Sequence, residues 1–187
     1  MKHLIVGLGN IGDEYRNTRH NTGFMILDAF AEASNISFTT LRYGDVGIGR
    51  VKNQQVVLLK PSTYMNLSGN AVRYWKDKEN IEIDNILVLV DDIALPFGAI
   101  RIKPSGSDAG HNGLKNIAQM LGTANYPRLR FGIGNNFPRG CQIDYVLGHF
   151  SLDERTMLPT RIDKAAEAVR DCVLPGLQDA MCRYNNK

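Results

Sequence analysis

A short apolar strand that runs into glycines constrains this chain more than any other segment. Leu4-Ile-Val-Gly-Leu-Gly-Asn-Ile-Gly12 satisfies G-x-G-x-x-G directly after apolar residues, and Thr18-Arg-His-Asn-Thr-Gly-Phe24 follows closely. The glycine pattern is the sequence form of a dinucleotide-binding turn, in which a helix opening at the third glycine holds a pyrophosphate on its free amides. The next residues oppose that use. Asp13 to Thr22 show no apolar face at the roughly 3.6-residue helical period, so the first helix is expected only near Gly23. Glu32, the nearest acidic candidate for a ribose, falls inside that helix. A phosphate-binding loop is excluded as well, because Gly-Lys-Ser/Thr does not occur. In place of a cofactor cradle stands a polar stretch holding Asn10, Tyr15 and His20.

The chain has 187 residues, 43% of them apolar and 22% charged, which suits one domain over residues 1–187 around one core. No apolar run approaches the ~18 residues of a membrane span, and the short apolar start does not build a signal peptide. Cys141, Cys172 and Cys182 are odd in number and form no C-x-x-C pair, which speaks against a zinc knuckle or disulfide framework and fits a reducing cytoplasm.

Strands and helices are expected to alternate. Strands are read at Lys2–Gly7, Asp45–Lys52, Gln55–Lys60, Asn85–Val90, Ala99–Lys103, Leu129–Gly134 and Asp144–Leu147, from β-branched and apolar runs between turn residues. Helices are read at Gly23–Ala33, Leu67–Lys78, Gly113–Leu121 and from Leu152 onward, each behind an Asn or Ser that could cap it. Ser151-x-x-Glu154 has the form of a capping box, Pro159 should bend or restart the last helix, and Pro175-Gly176 should end it before a short tail. The fold class is therefore α/β: a single domain with a mixed, mostly parallel twisted sheet surrounded by helices.

Polar residues without a packing role gather at the ends of four strands. The first loop offers Asn10, Tyr15 and His20, and the second, Lys60 to Gly69, offers Tyr64 and Asn66. Asp91 and Asp92 follow a buried strand, and Gly106 to Gly113 carries His111 and Asn112 into a helix. Each has a plainer alternative: a left-handed turn for Asn10, helix caps for Asn66 and Asn112, a turn-forming Asp. Taken together, one histidine, a carboxylate and several carboxamides, with no nucleophile motif, point to hydrolysis by an activated water. An imidazole titrates near neutrality, a carboxylate fixes its tautomer, and Asn amides can meet a developing oxyanion. No metal or cofactor is expected, since no H-x-x-x-H or H-x-E spacing occurs.

Net charge is +3, and its distribution says more than its size. Alternation along strands puts Arg101 with Lys103, and Arg128 with Arg130, on single faces, either as solvated edges or as a phosphate-binding surface.

The motifs Leu4 to Asn10, Thr18 to Phe24, Lys60 to Gly69, Val90-Asp-Asp92 and Gly110-His-Asn-Gly-Leu-Lys115 resemble, in order and over the whole chain, the bacterial-type peptidyl-tRNA hydrolase family. That resemblance implies a monomeric enzyme of the cytoplasm, without an obligate protein partner, that cleaves the ester joining a peptide to the terminal ribose of tRNA. It makes His20 the general base, with Asp91 as its support, and Asn10 the residue that helps tell a blocked peptidyl group from a free aminoacyl one. Asn66 and Asn112 match substrate-binding positions, and Tyr15 and Tyr64 match contacts to the tRNA end. Lys103 and Arg130 match the grip on the 5′-phosphate, and His111 is read as a supporting loop residue. Three positions depart from the family pattern: Ile11 replaces a usual Pro, Ala109 a usual Gly, and Ala94 a common acidic residue. A non-catalytic RNA-binding relative on the same fold is the competing reading, and the intact site residues argue against it.

Overall fold

The structure is a computed structural model and describes residues 1–185. Seven strands form one sheet: β1 (Lys2–Gly7), β2 (Thr39–Leu41), β3 (Gly44–Val51), β4 (Gln54–Pro61), β5 (Ile86–Asp92), β6 (Ile100–Lys103) and β7 (Arg128–Gly132). Their order is β2-β3-β4-β1-β5-β7-β6. The central four, β4-β1-β5-β7, run parallel, while β2, β3 and β6 add antiparallel ladders at the two edges. Among the described residues six α-helices accompany them: α1 (Thr22–Ala33), α2 (Ser68–Lys78), α3 (Asn112–Leu121), α4 (Gln142–Val146), α5 (Leu152–Val173) and α6 (Leu177–Tyr184). Among the described residues no helix is long and apolar enough to cross a membrane.

The unbroken apolar runs of β1 and β5 follow from their place. Central parallel strands are covered on both faces, so both alternating sets of side chains must be apolar. Ile5, Leu58, Leu87 and Leu89 pack on one face with Ile26 and Phe30 of α1 and Val169 of α5. Leu4, Val6, Leu59, Val88 and Val90 pack on the other with Trp75 of α2 and Leu114 and Ile117 of α3.

From β1 the chain moves to β4 on one side, and from there it returns to β5 on the other. Connections leaving β1 and β5 therefore diverge, and a crevice opens beyond their carboxyl ends, where open α/β sheets bind ligands.

The structure corrects four expectations. Asp144–Leu147 is not a strand: the segment forms α4, whose Tyr145 hydroxyl donates to the Ile133 carbonyl at 2.6 Å. The chain after Gly176 is not a loose tail but α6, which buries Ala180 and Tyr184 and bonds Asp171 through the Tyr184 hydroxyl at 2.7 Å. Pro159 neither bends nor restarts α5, which is continuous from Leu152 to Val173 with Pro159 exposed. There water can meet the carbonyl that a proline leaves unbonded. Only α5, behind its Ser151–Glu154 capping box, has the expected Asn or Ser side-chain cap.

Candidate active site

The glycines that imitate a dinucleotide turn have another use. No α-helix follows Gly12; two 3-10 turns, Asp13–Tyr15 and Arg19–Asn21, intervene before α1. A Cβ on Gly7 would collide with the Gly23 carbonyl, and one on Gly23 would lie 2.5 Å from Leu8 backbone atoms. Backbone therefore packs on backbone where β1 ends and α1 begins. That close approach brings the second 3-10 turn, with His20, beside the end of β5.

There His20 Nδ1 lies 2.9 Å from Asp91 Oδ2, and His111 Nε2 lies 3.0 Å from Asp91 Oδ1. The other His111 nitrogen, Nδ1, accepts from the backbone amides of Gly113 at 3.1 Å and Leu114 at 3.4 Å, capping α3. An accepting Nδ1 carries no proton, so His111 donates through Nε2. Asp91 thus receives two imidazole donors while buried at the end of β5. Burial alone would raise its pKa, but His20 and His111 outweigh burial and hold the carboxyl well below the usual carboxylate range. For His20, burial opposes the charge, yet the charge and hydrogen bond of Asp91 prevail and raise its pKa above 6.5. With Nδ1 turned to Asp91, Nε2 is the nitrogen left to take a proton from water.

These groups line a cavity of about 290 Å³, together with Asn10, Asn112 and Arg130. One wall is apolar, made by Ile93 and by Ile143, Val146 and Leu147 of the α4 segment. The Arg19 guanidinium lies 3.9 Å from the Tyr145 ring centroid and donates to the Tyr145 carbonyl at 3.0 Å, which ties the His20 turn to that wall. His20, Asp91 and His111 also have the donor types of a metal site, with ligand atoms within 4.8 Å of one another. Both imidazoles already face Asp91, so an ion would have to displace those hydrogen bonds.

Asn10, His20, Asp91, Asn112 and Arg130 therefore share one cavity, whereas Tyr15, Tyr64, Asn66 and Lys103 do not line it. Asn66 sits exposed on the 3-10 turn before α2, and Tyr64 is 80% exposed just ahead of it. Tyr15 is half-buried in the first 3-10 turn. The plainer alternatives fail for three residues: Asn10 is not left-handed, α2 has no side-chain cap from Asn66, and His111 rather than Asn112 caps α3.

The cationic stripes share one face, because Arg101 pairs with Arg130 and Lys103 with Arg128 across the β6–β7 ladder. They are not equally open. Lys103 is exposed, but Arg128 donates to the Ser107, Ala124 and Tyr126 carbonyls, and Arg130 donates to the Ser107 carbonyl at 2.6 Å and faces Asp92 at 3.4 Å. Both guanidiniums are buried, and they hold the 104–111 loop. Sequence reasoning missed Asn21, whose amide bonds the backbone of Asn10 on both sides. Its position one residue after His20 was the only signal, and helix capping was the more obvious use.

The family model described as peptidyl-tRNA hydrolase matches residues 4–187. Peptidyl-tRNA hydrolase of Bacteroides fragilis is 60% identical over 187 residues, covering all of both chains, and that of Porphyromonas gingivalis is 57% identical over 185 residues, covering 99% of this chain and all of the relative. The crystal structure of peptidyl-tRNA hydrolase from Acinetobacter baumannii superposes with a TM-score of 0.92 at 35% identity, covering 98% of this chain and 94% of that one. The Arabidopsis thaliana 5′-methylthioadenosine nucleosidase, at 9% identity, TM-score 0.53 and coverage of 95% and 98%, shares the fold alone. On the whole-length family match and these end-to-end relatives, the chain belongs to the peptidyl-tRNA hydrolase family.

Proposed function

We propose that this chain is a peptidyl-tRNA hydrolase, cleaving the ester between a peptide and the terminal ribose of tRNA and freeing the tRNA for translation. The observation that carries this reading is the Asp91-bound His20 imidazole facing a cavity shared with Asn10 and Asn112. His20 Nε2 takes a proton from water as the water oxygen attacks the ester carbonyl. The negative charge then on the carbonyl oxygen is met by a carboxamide N–H, for which Asn112 is the candidate in the cavity, while Asn10 meets the blocked amino group that tells a peptidyl ester from a free aminoacyl one. As the C–O bond to the ribose breaks, the imidazolium returns the proton to the leaving ribose oxygen. Asp91 keeps the imidazole in the productive tautomer and stabilises its charged form.

Asn66, Tyr15 and Tyr64, outside the cavity, are assigned to the 3′ end of the tRNA. Tyr64, exposed and aromatic, offers a face on which an unpaired base can stack. Lys103 and Arg130 are assigned to the 5′-phosphate: Lys103 from open solvent, Arg130 from the cavity side. The reading includes action as a monomer without a protein partner, and a substrate made in translation fits an enzyme of the cytoplasm. The test is hydrolysis of N-acetylaminoacyl-tRNA beside the unblocked aminoacyl-tRNA. The blocked ester should be cleaved much faster, and His20→Ala should abolish nearly all turnover; equal rates, or an active mutant, would overturn the assignment.

A further inference from the structure

Asn10 borders both the catalytic cavity and a second groove behind it. A residue so placed can be useful only if its backbone is fixed, and β1 ends at Gly7, three residues before it. The ladder therefore cannot hold it. Asn21 holds it instead: the Asn10 N–H donates to Asn21 Oδ1 at 2.8 Å, and Asn21 Nδ2 donates to the Asn10 carbonyl at 2.9 Å. A side-chain carboxamide thus pairs with one residue's backbone at both of its polar groups, as a neighbouring strand would. Asn21 is 5% exposed, its own N–H donates to the Thr18 carbonyl at 3.1 Å, and it begins the run into α1. With its backbone held, the Asn10 side-chain amide is set in one place to meet a substrate.

We propose that Asn21 is a positioning residue that sets substrate selectivity through Asn10, its amide clamp aiming the Asn10 carboxamide at the blocked amino group of the peptidyl ester. This rests on the reading of Asn10 given above. The clamp needs both an acceptor and a donor on one planar group. Asp has the same shape but supplies acceptors only, and it would set a carboxylate against the Asn10 carbonyl. Ser and Ala span neither bond.

The experiment measures kcat/KM for N-acetylaminoacyl-tRNA and for aminoacyl-tRNA in the wild type, Asn21→Asp, Asn21→Ser, Asn10→Ala and the Asn10→Ala/Asn21→Asp double variant. An ångström of misplacement can cost about 100-fold in rate, so the blocked-over-unblocked ratio should fall by about tenfold or more in both Asn21 variants. The acid limb of the kcat profile, which reports His20 in the next position, should stay in place. In the double variant the ratio should equal that of Asn10→Ala alone, because a residue acting only through Asn10 has nothing left to position. An unchanged ratio in a folded Asn21 variant, a displaced acid limb, or additive losses in the double variant would overturn the inference. A ratio unaffected by Asn10→Ala would instead overturn the reading of Asn10 itself. Should Asn21→Asp fail to fold, Asn21→Ser carries the same comparison.

Discussion

His111 donates from Nε2 to Asp91 Oδ1 at 3.0 Å, while Nδ1 of the same ring closes the first turn of α3. One imidazole therefore ties the buried Asp91 carboxylate to a helix terminus. The two duties can be separated by substitution. Asn is a good N-cap but cannot reach Asp91 as the longer imidazole does, whereas Ala does neither. His111→Ala should lose about 1 kcal/mol more stability than His111→Asn in urea titrations. Both should move the acid limb of kcat/KM upward, because a carboxylate with one donor fewer binds the His20 proton more strongly.

The His20–Asp91 pair sets the pH dependence. His20 must be neutral to accept a proton, and its pKa is raised, so kcat/KM should climb with pH through a midpoint above 6.5. Asp91→Asn removes the cause of that rise, leaving burial to pull the midpoint down, and the rate should fall by roughly 10²- to 10⁴-fold as tautomer control is lost. Stability follows the same shifts with opposite signs. The depressed carboxyl stabilises the fold above its ordinary value of 3.8 and ceases to do so as pH falls. The raised imidazole stabilises it below 6.5 and ceases as pH rises through the folded value. The stability gap between wild type and Asp91→Asn should therefore be widest between these two values, and denaturant midpoints across pH would show it.

Long apolar runs made the centre of the sheet legible, because strands covered on both faces leave an unmistakable pattern. Short and marginal elements did not. β2 is three exposed residues, and α4 is five residues whose Ile143 is exposed at a cavity and whose Val146 only edges the core. In the site, His20 and Asp91 could be matched to chemistry by type alone. Arg128 and Arg130 were read correctly as facing one way, yet alternation cannot tell a solvated face from one roofed by a loop, here the 104–111 segment whose Ser107 lies 21 residues from Arg128 and 23 from Arg130. The Asn21 clamp was hidden for the same reason: its partner is eleven residues distant and joined through backbone.

Ala109 adopts a left-handed backbone at φ 51°, beside Gly110 at φ 79°. A Cβ in that region costs about 1 kcal/mol, which explains why a glycine suits this position and why alanine there strains the loop roofing the site. Ala109→Gly should accordingly stabilise the protein by up to about 1 kcal/mol, or raise Tm by roughly 2–4 °C. Calorimetry would measure it. No gain in Tm would mean that the unfolded chain's added freedom cancels the relief.

The cations of the β6–β7 ladder divide by exposure, and salt dependence should divide them again. Lys103 is free in solvent, so Lys103→Ala should weaken tRNA binding at every sequence and lower the slope of log affinity against log salt by about one. Arg128 should behave otherwise. The residue is 1% exposed, and its guanidinium lies 4.1 Å from the Tyr126 ring centroid and is engaged by three carbonyls that apolar substitution would strand. Arg128→Met should cost about 2–3 kcal/mol of stability and leave the salt slope unchanged. A reduced slope in Arg128→Met would mean that the 104–111 loop opens when tRNA binds, turning a buried arginine into a phosphate contact, and equal slopes for Lys103→Ala and wild type would remove Lys103 from the acceptor-stem grip.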